Sequence, residues 1–262
     1  IGSFNWNSDL QISVSKDQIS KTKLLPTVGG FSILTASDGG SIYPVEGKPL
    51  YSVYAYRWAG LDANTGDPQG YVNGAISTNY VAMQNEIDND ITKLNFIGTA
   101  RPKIYGAFRN TFSYGPMSLS ANISYRFDYY FRRQSVNYDL INKGTISHGD
   151  FSQRWLKPGD EQRTNVPSMP TIGASPSRDG FYMLSDVLVE KGDHIRLQDI
   201  TLAYNVNKQS ISSLPFTNLR LFFYMNNLGL LWKSGKYRED PDYYRAVYSP
   251  VRTVSLGINA NF

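Results

Sequence analysis

Few residues in this sequence could carry out catalysis. The 262 residues include two histidines, His148 and His194, and no cysteine, which excludes a thiol nucleophile. There is neither an HExxH zinc signature nor a GxSxG nucleophile elbow, and His148-Gly149-Asp150 is better explained as a loop than as part of a Ser-His-Asp triad. We therefore predict that the chain is not an enzyme and has no catalytic residue.

One acidic segment has partial calcium-loop spacing. The run Asp62-Ala63-Asn64-Thr65-Gly66-Asp67 offers side-chain oxygens at short intervals, but it lacks the distal glutamate that completes an EF-hand loop. Asp and Asn side chains also close tight turns by bonding to their own backbone. We favour a turn here, and we expect neither a metal nor a cofactor.

The remaining polar and aromatic residues are suited to binding. Charged side chains recur at polar positions of strand-like segments, namely Arg109, Arg126, Asp128, Arg196 and Arg220. Aromatic side chains lie in or beside long polar segments, namely Trp155, Trp232, Tyr243 and Tyr244. Charged groups can pair with a ligand, and rings can stack on sugars or pack against a partner protein. The alternative for the charged residues is that they only form a hydrated, charged lining without contacting a ligand, and we favour this for any single one of them. The alternative for the aromatic residues is packing within the loops.

A period-two pattern positions these residues on strands. In the last segment one side carries Val254, Leu256, Ile258, Ala260 and Phe262, while the interleaved residues are polar or glycine. Such alternation is typical of a strand whose two sides meet different solvents. The same pattern occurs in 4–14, 104–114, 119–131 and 219–226. In 194–206 the apolar positions change from odd to even, which predicts a β-bulge near Gln198 and Asp199.

The two solvents can be lipid and water, or a second sheet and water. The run from Leu119 to Phe131 exceeds the ~9–11 residues that cross a bilayer obliquely, and its aromatic end is typical of an interfacial girdle. Short connections at Gly115-Pro116 and 207–216 alternate with long ones at 134–193 and 233–250, as in outer-membrane barrels with short periplasmic turns and long extracellular loops. The alternative is a secreted glycan-binding β-sandwich or adhesin module.

The pattern is weaker elsewhere. We predict loop with a short strand at Phe31–Leu34 in the segment 22–49, a strand over Leu50–Trp58, and a short helix over Gln84–Lys93. The segment 181–189 has some strand character. Whether 18–101 adds a full strand pair to a sheet or forms an excursion outside the membrane stays open.

Composition excludes several other classes. The chain has 26 Lys+Arg and 22 Asp+Glu without basic stripes, so we predict no nucleic-acid partner. The sequence contains no run of about 18 apolar residues that would form a membrane-spanning helix. Aromatic residues make up 14% of the chain and glycine is plentiful, which favours strands and loops.

Several segments together resemble the SusC/RagA-type TonB-dependent transporters of the Bacteroidota outer membrane. They are Trp58-Ala59-Gly60-Leu61-Asp62, Thr65-Gly66-Asp67-Pro68, Ile97-Gly98, Arg101-Pro102-Lys103, Gly192-Asp193, Ile195-Arg196-Leu197, Ile200-Thr201-Leu202-Ala203-Tyr204, Asn226-Asn227-Leu228, Asp240-Pro241, Arg252-Thr253 and the final 257–262 run. Each segment is weak alone, but their order and spacing along nearly the whole chain are specific.

The resemblance implies an all-β chain that forms the C-terminal part of a 22-stranded antiparallel transmembrane β-barrel. The plug domain, the TonB-contacting segment and the earlier strands would precede residue 1. It also implies multi-pass placement in the cell outer membrane and TonB-dependent import of oligosaccharides or oligopeptides. The implied partners are a SusD-like surface lipoprotein, the TonB complex, the rest of the barrel and the lipid bilayer.

This implied barrel gives a role to each group of residues. The apolar side of the terminal strand, Val254 to Phe262, would face lipid and act as an assembly signal. The charged residues from Arg109 to Arg220 would line the lumen, and the four loop aromatics would contact ligand or the lipoprotein.

Overall fold

The computed structural model describes residues 4–23, 29–37, 41–144, 148–171, 173–207, 215–244 and 250–261. The strands in these ranges are β1 Phe4–Val14, β2 Ser52–Ala55, β3 Gly60–Leu61, β4 Pro68–Val72, β5 Ala75–Ser77, β6 Asn95–Thr99, β7 Ile104–Tyr114, β8 Met117–Phe127, β9 Tyr130–Arg132, β10 Val189–Lys191, β11 His194–Asn207, β12 Asn218–Lys233 and β13 Thr253–Asn261. The helices are α1 Gly30–Ala36, α2 Tyr80–Asn89, α3 Tyr138–Asn142 and α4 Ser177–Met183, with 3₁₀ turns at Ile91–Lys93, Gly149–Gln153, Asp160–Gln162 and Asp186–Leu188.

The chain divides into two compact units. We call the first the sheet unit, which comprises Ile1–Ser15, Pro102–Asp128 and Gly192–Phe262. We call the second the insert unit, which comprises Lys16–Arg101 and Tyr129–Lys191. No helix in the described ranges is long and apolar enough to cross a membrane.

The sheet unit is built on one six-stranded sheet in the order β1-β7-β8-β11-β12-β13, in which every neighbouring pair is antiparallel. The predicted reversal at Gly115-Pro116 is confirmed, since Tyr114 pairs with Met117. Gly115 has φ +55°, a left-handed conformation that glycine adopts at little cost. The tight turn therefore sets the register of the β7–β8 hairpin.

The alternating pattern forms one continuous apolar face on this sheet. Directly opposed residues share a face, and one row of such pairs crosses all six strands through Trp6, Phe112, Leu119, Leu202, Phe223 and Leu256. Trp6 is 61% exposed and Leu256 is 83% exposed. A sandwich core would bury both residues, so the described residues do not form the two-layer sandwich considered above.

The predicted β-bulge is confirmed. The register of β11 shifts between Leu197 and Asp199 against both β8 and β12. Because of this shift Leu197 lies opposite Ile123 and Ile200 opposite Ala121, so both stay on the apolar face although their numbers differ by three. The extra residue of the bulge thus explains why the apolar residues of this strand have odd numbers before it and even numbers after it.

The predicted strand over 119–131 is too long. It ends at Phe127 because Asp128 has φ +59°, which breaks the ladder, and the Asp128 N–H donates to Asp193 Oδ1 at 2.7 Å. Tyr129 and Phe131 are each 4% exposed and belong to the insert unit. These two aromatics are therefore core residues, and their assignment to an interfacial girdle is wrong.

The segment 18–101 contributes no strand to the six-stranded sheet within the described ranges. Its strands pair in two small sheets, β2 with β6 and β3-β4-β5. The predicted strand at Phe31–Leu34 is wrong, because these residues lie in α1. Ile33 and Leu34 are buried there against α2, and a Cβ on Gly30 would lie 2.4 Å from the Ile87 carbonyl oxygen. This close approach requires glycine at the start of α1.

The predicted helix over 84–93 exists but begins earlier. The first residue of α2 is Tyr80, and the Asn79 side chain caps it by accepting from the Ala82 N–H at 3.1 Å. The helix packs into a buried cluster formed by Ile33, Leu34, Tyr54, Tyr56, Tyr80, Met83, Ile87, Leu94 and Phe181.

The segment 134–193 is packed, although the sequence predicts a long loop. A second buried cluster consists of Val136, Tyr138, Val166, Tyr182 and Leu188. Most of the strand-like stretch 181–189 is helical or 3₁₀, in α4 and Asp186–Leu188. The guanidinium of Arg178, which is 2% exposed, donates to Asp67 Oδ1 at 2.5 Å and to the Ser168 carbonyl oxygen at 2.8 Å. The bond to Asp67 joins the two sequence segments of the insert unit.

We expect Gly66→Ala to destabilise the insert unit more than Gly144→Ala. The two glycines have similar backbones, with φ +70° and +68°, but a Cβ on Gly66 would lie 2.4 Å from the Trp155 ring whereas one on Gly144 would meet open space. Both variants bear backbone strain of about 1–2 kcal/mol, and overpacking adds about 1–3 kcal/mol at Gly66 alone. Thermal unfolding and limited proteolysis of the full-length protein measure the difference. Equal losses would show that Trp155 does not constrain this turn.

Candidate functional site

The polar face of the six-stranded sheet carries a cluster of charged residues near one end. Arg126 lies near the end of β8 and is paired in register with His194, the first residue of β11. Arg196 follows on the same face, and Asp240 and Asp242 come from the connection between β12 and β13. We call these five residues the ion-pair cluster.

Asp242 is the centre of the ion-pair cluster. Its carboxylate accepts from Arg126 Nη1 at 2.5 Å, from Arg196 Nε at 3.2 Å and from His194 Nε2 at 3.1 Å. Arg196 Nη2 also donates to both oxygens of Asp240, at 2.5 and 2.6 Å. Charge-assisted bonds of this kind are stronger than neutral ones. The connection after β12 is therefore held against the start of β11.

His194 is buried between two polar groups. Nδ1 lies 2.9 Å from the Gly192 carbonyl oxygen, and Nε2 lies 3.1 Å from the Asp242 carboxylate. The ring is 1% exposed, so these contacts fix its orientation at the start of β11.

The pKa of Asp242 is lowered by its cationic neighbours. Burial alone would raise this pKa, but the hydrogen bond from His194 and the positive charges of His194, Arg126 and Arg196 outweigh burial. The ionised form of Asp242 is accordingly stabilised in the folded state.

A second polar group lies at the middle of the sheet. Asp199, at the bulge and 6% exposed, accepts from Asn122 Nδ2 at 3.0 Å and lies 3.6 Å from Arg109 Nη2. Arg109 keeps about half of its side chain exposed. Arg220, on the same face, is exposed and is paired in register with Asn205 and Asn259. Arg109 and Arg220 are thus predicted lumen residues that keep accessible charge outside the ion-pair cluster, in which Arg126 is also half-exposed.

The other predicted lumen residue lies outside the strands. Asp128 follows the end of β8, and its carboxylate accepts from Lys103 Nζ at 2.8 Å.

The sequence analysis did not identify His194, Asp199, Asp240 and Asp242 as site residues. The alternation of 194–206 and the Asp240-Pro241 segment were the available signals, but pairing across about 40 positions is not visible in a single sequence.

The predicted loop aromatics fall in three different environments. Trp155 is buried in the insert unit, where its Nε1 donates to Glu161 Oε2 at 3.2 Å. Trp232 is the second-to-last residue of β12, opposite Ile195 on the apolar face and beside the connection that follows this strand. The Tyr243 ring centroid lies 5.4 Å from the Arg196 guanidinium, and Tyr244 follows it half-buried. Loop packing therefore occupies Trp155 and Tyr243.

The predicted apolar side of the terminal strand lies on the apolar face of the sheet. Val254, Leu256, Ile258 and Ala260 are opposite Met225, Phe223, Leu221 and Leu219 of β12. The fifth residue of this group, Phe262, lies outside the described residues.

The acidic segment 62–67 is a turn, as favoured from the sequence. Asp62 Oδ1 accepts from the Asn64 and Thr65 backbone N–H groups, both at 2.9 Å, and these bonds lower the pKa of Asp62. Asp67 is engaged by Arg178. In the described ranges no group of three or more metal-ligating side chains is placed to hold an ion.

We expect Asp242→Asn to release the connection after β12 at neutral pH. Because the folded-state pKa of Asp242 is lowered, its carboxylate stabilises this connection above the ordinary Asp pKa, and the effect is lost as the pH falls through the folded-state value. Protection of 234–244 against hydrogen exchange in the full-length protein, taken relative to the intrinsic amide rate at each pH, should therefore fall on acidification in the wild type but be low at every pH in the variant.

Asp128→Asn is the matched control. Asp128 and Lys103 form a half-exposed ion pair, which contributes about 0–1 kcal/mol. We expect the exchange of 234–244 to be unchanged in this control. Equal exchange in the two variants would show that Asp242 does not hold this connection.

Comparison with known proteins identifies relatives among transporters. No protein-family model matches the sequence. TonB-dependent receptors P26 and P39 of Formosa agariphila are 23% and 22% identical to it over 99% of the chain. The aligned region is 27% and 28% of those proteins, so the chain spans about a quarter of the curated relatives that it matches.

Solved structures share the fold. A structure of the RagAB peptide transporter matches with a TM-score of 0.61 at 21% identity, over 91% of this chain and 24% of that one. The RagAB peptide importer in its open-open state matches with a TM-score of 0.63 at 19% identity, over 99% of this chain and 27% of that one. By sequence and by fold, the chain is similar to a portion of a TonB-dependent outer-membrane transporter of the SusC/RagA type.

Proposed function

We propose that this chain forms part of the barrel wall of a multi-pass outer-membrane protein that imports nutrients in a TonB-dependent manner. The observation that carries this proposal is the sheet with two unlike faces, of which the apolar one is exposed across all six strands. An apolar sheet face of this extent requires a nonaqueous neighbour. The relatives named as TonB-dependent receptors support lipid as that neighbour.

The edge strands of the sheet also need hydrogen-bonding partners. Strands β1 and β13 each have one partner among the described strands. In a bilayer every backbone N–H and carbonyl group must be paired, which is why spanning sheets close into barrels. The remaining strands of the same barrel, and the plug within it, are therefore proposed to be the first partners of this chain.

The polar face would line the barrel lumen. Arg109 and Arg220 have accessible guanidinium groups there, while Arg126 and Arg196 are held by Asp240 and Asp242. In this proposal the accessible pair contacts cargo or plug. The ion-pair cluster holds a connection that would lie on the extracellular side.

The cargo is proposed to be an oligopeptide or an oligosaccharide. The solved structures that share the fold belong to a peptide transporter, and the sequence relatives are named as TonB-dependent receptors. These names support transport over catalysis. A SusD-like surface lipoprotein and the TonB complex are the further partners proposed for the whole protein.

Leu256→Arg should impair assembly in the outer membrane, while Ser255→Arg should not. Leu256 is 83% exposed on the apolar face, and Ser255 lies at nearly the same height on the polar face opposite Tyr224. A lipid-facing arginine near the bilayer midplane costs roughly 2–4 kcal/mol. The amount of assembled, heat-modifiable protein in outer-membrane fractions measures the effect. Equal assembly of the two variants would argue against lipid contact.

Import is tested in cells that lack the whole protein. Uptake of labelled oligopeptides and of labelled oligosaccharides is compared between these cells, the parent strain and a strain without functional TonB. We expect one class of cargo to lose uptake in both mutants. Undiminished uptake of both classes in the deletion strain would contradict the proposed role.

A further inference from the structure

The insert unit contains a cleft of about 510 Å³ that none of the functions above uses. Ligand sites typically have volumes of about 300–1,000 Å³. Aromatic residues from β4, α4 and the segment after β2 form part of its lining, and charged residues together with a few apolar and small polar ones form the rest. We call it the insert cleft.

The aromatic wall of the insert cleft is rigid. The Trp58 ring stacks on Phe181 with centroids 6.3 Å apart and an interplanar angle of 17°, and it meets Tyr182 at 5.8 Å. Tyr71, by contrast, is 40% exposed and lines the same space. A fixed wall with one accessible ring can bind the body of a ligand at low entropic cost.

The acidic groups of the insert cleft are already engaged. Asp186 accepts from the Trp58 N–H at 3.1 Å and from Asn95 Nδ2 at 2.9 Å. Glu86 accepts from the Asn73 N–H at 3.0 Å and pairs with Lys93 at 3.5 Å. Both carboxylates thus have partners within the insert unit, and Lys93 is paired with Glu86.

Arg57 is the cation that remains. It lines the cleft and is exposed, and its guanidinium forms no hydrogen bond or ion pair with any residue that the structure describes. The guanidinium group matches the planar, two-oxygen geometry of a carboxylate. Arg57 is therefore the charged side chain of the cleft that has no described partner, and its neighbours Tyr56 and Trp58 belong to the aromatic part of the lining.

We propose that the insert cleft binds the carboxylate of a short oligomeric ligand, with Arg57 pairing with the carboxylate and Tyr71 covering the adjoining unit. This inference rests on the proposed import function only for the source of the ligand. The carboxylate can come from the free C-terminus of an oligopeptide or from a uronic acid unit of a glycan. Both sources present the same group to Arg57.

Calorimetry on the full-length protein in detergent tests the site with two pairs of probes. The first pair is Ala-Phe-Ala and its C-terminal amide, and the second is trigalacturonate and maltotriose. We expect the carboxylate-bearing member of one pair to bind at least about tenfold more tightly than its uncharged counterpart, since hydrogen bonds between charged groups are stronger than those to neutral groups. The pair that responds identifies the source of the carboxylate.

Arg57→Gln should weaken that binding at least about tenfold, and Arg163→Gln should leave it unchanged. Both arginines are exposed residues of the insert unit, but Arg163 does not line the cleft. Binding by neither carboxylate probe, equal binding of a probe and its uncharged counterpart, or wild-type binding by Arg57→Gln would each overturn the proposal. Outer-membrane assembly does not depend on ligand, so the comparison of Leu256→Arg with Ser255→Arg tests the barrel wall separately, and uptake by the deletion strain tests import.

Discussion

The exposed apolar face of the six-stranded sheet is the constraint on which the other features depend. Burial of apolar surface stabilises proteins by roughly 25 cal/mol per Å², and a row of large apolar residues from Trp6 to Leu256 lacks that stabilisation in water. A hydrocarbon environment resolves this problem without a second protein layer. The same environment forces the sheet edges to pair and confines charge to the opposite face.

The insert unit buries its apolar residues within itself. Its apolar residues are buried in two clusters of its own, and the buried Arg178 is compensated by Asp67 and Ser168. It needs no lipid to satisfy its side chains. The insert unit also carries the insert cleft, in which Arg57 has no described partner.

The ion-pair cluster shows how charge is placed on the polar face. Buried charges are costly unless each one is paired and hydrogen-bonded. Asp242 and Asp240 meet this condition for the buried Arg196, and Asp242 also accepts from the half-exposed Arg126. A connection that would otherwise be a free loop is thereby held at the end of the sheet, whereas Arg109 and Arg220 keep accessible charge elsewhere on that face.

The sequence by itself determined the long strands, the two faces, the tight turn at Gly115-Pro116 and the bulge at Gln198-Asp199, because strand geometry is encoded in neighbouring residues. Only the tertiary structure decided that Phe31–Leu34 is helical, that Trp232 belongs to a strand and that Asp242 joins three basic side chains. Each of these outcomes depends on a partner that is distant in sequence, such as Ile87 for Gly30. Local alternation does not report such contacts, since tertiary packing overrides short-range preference wherever a segment is buried by remote residues.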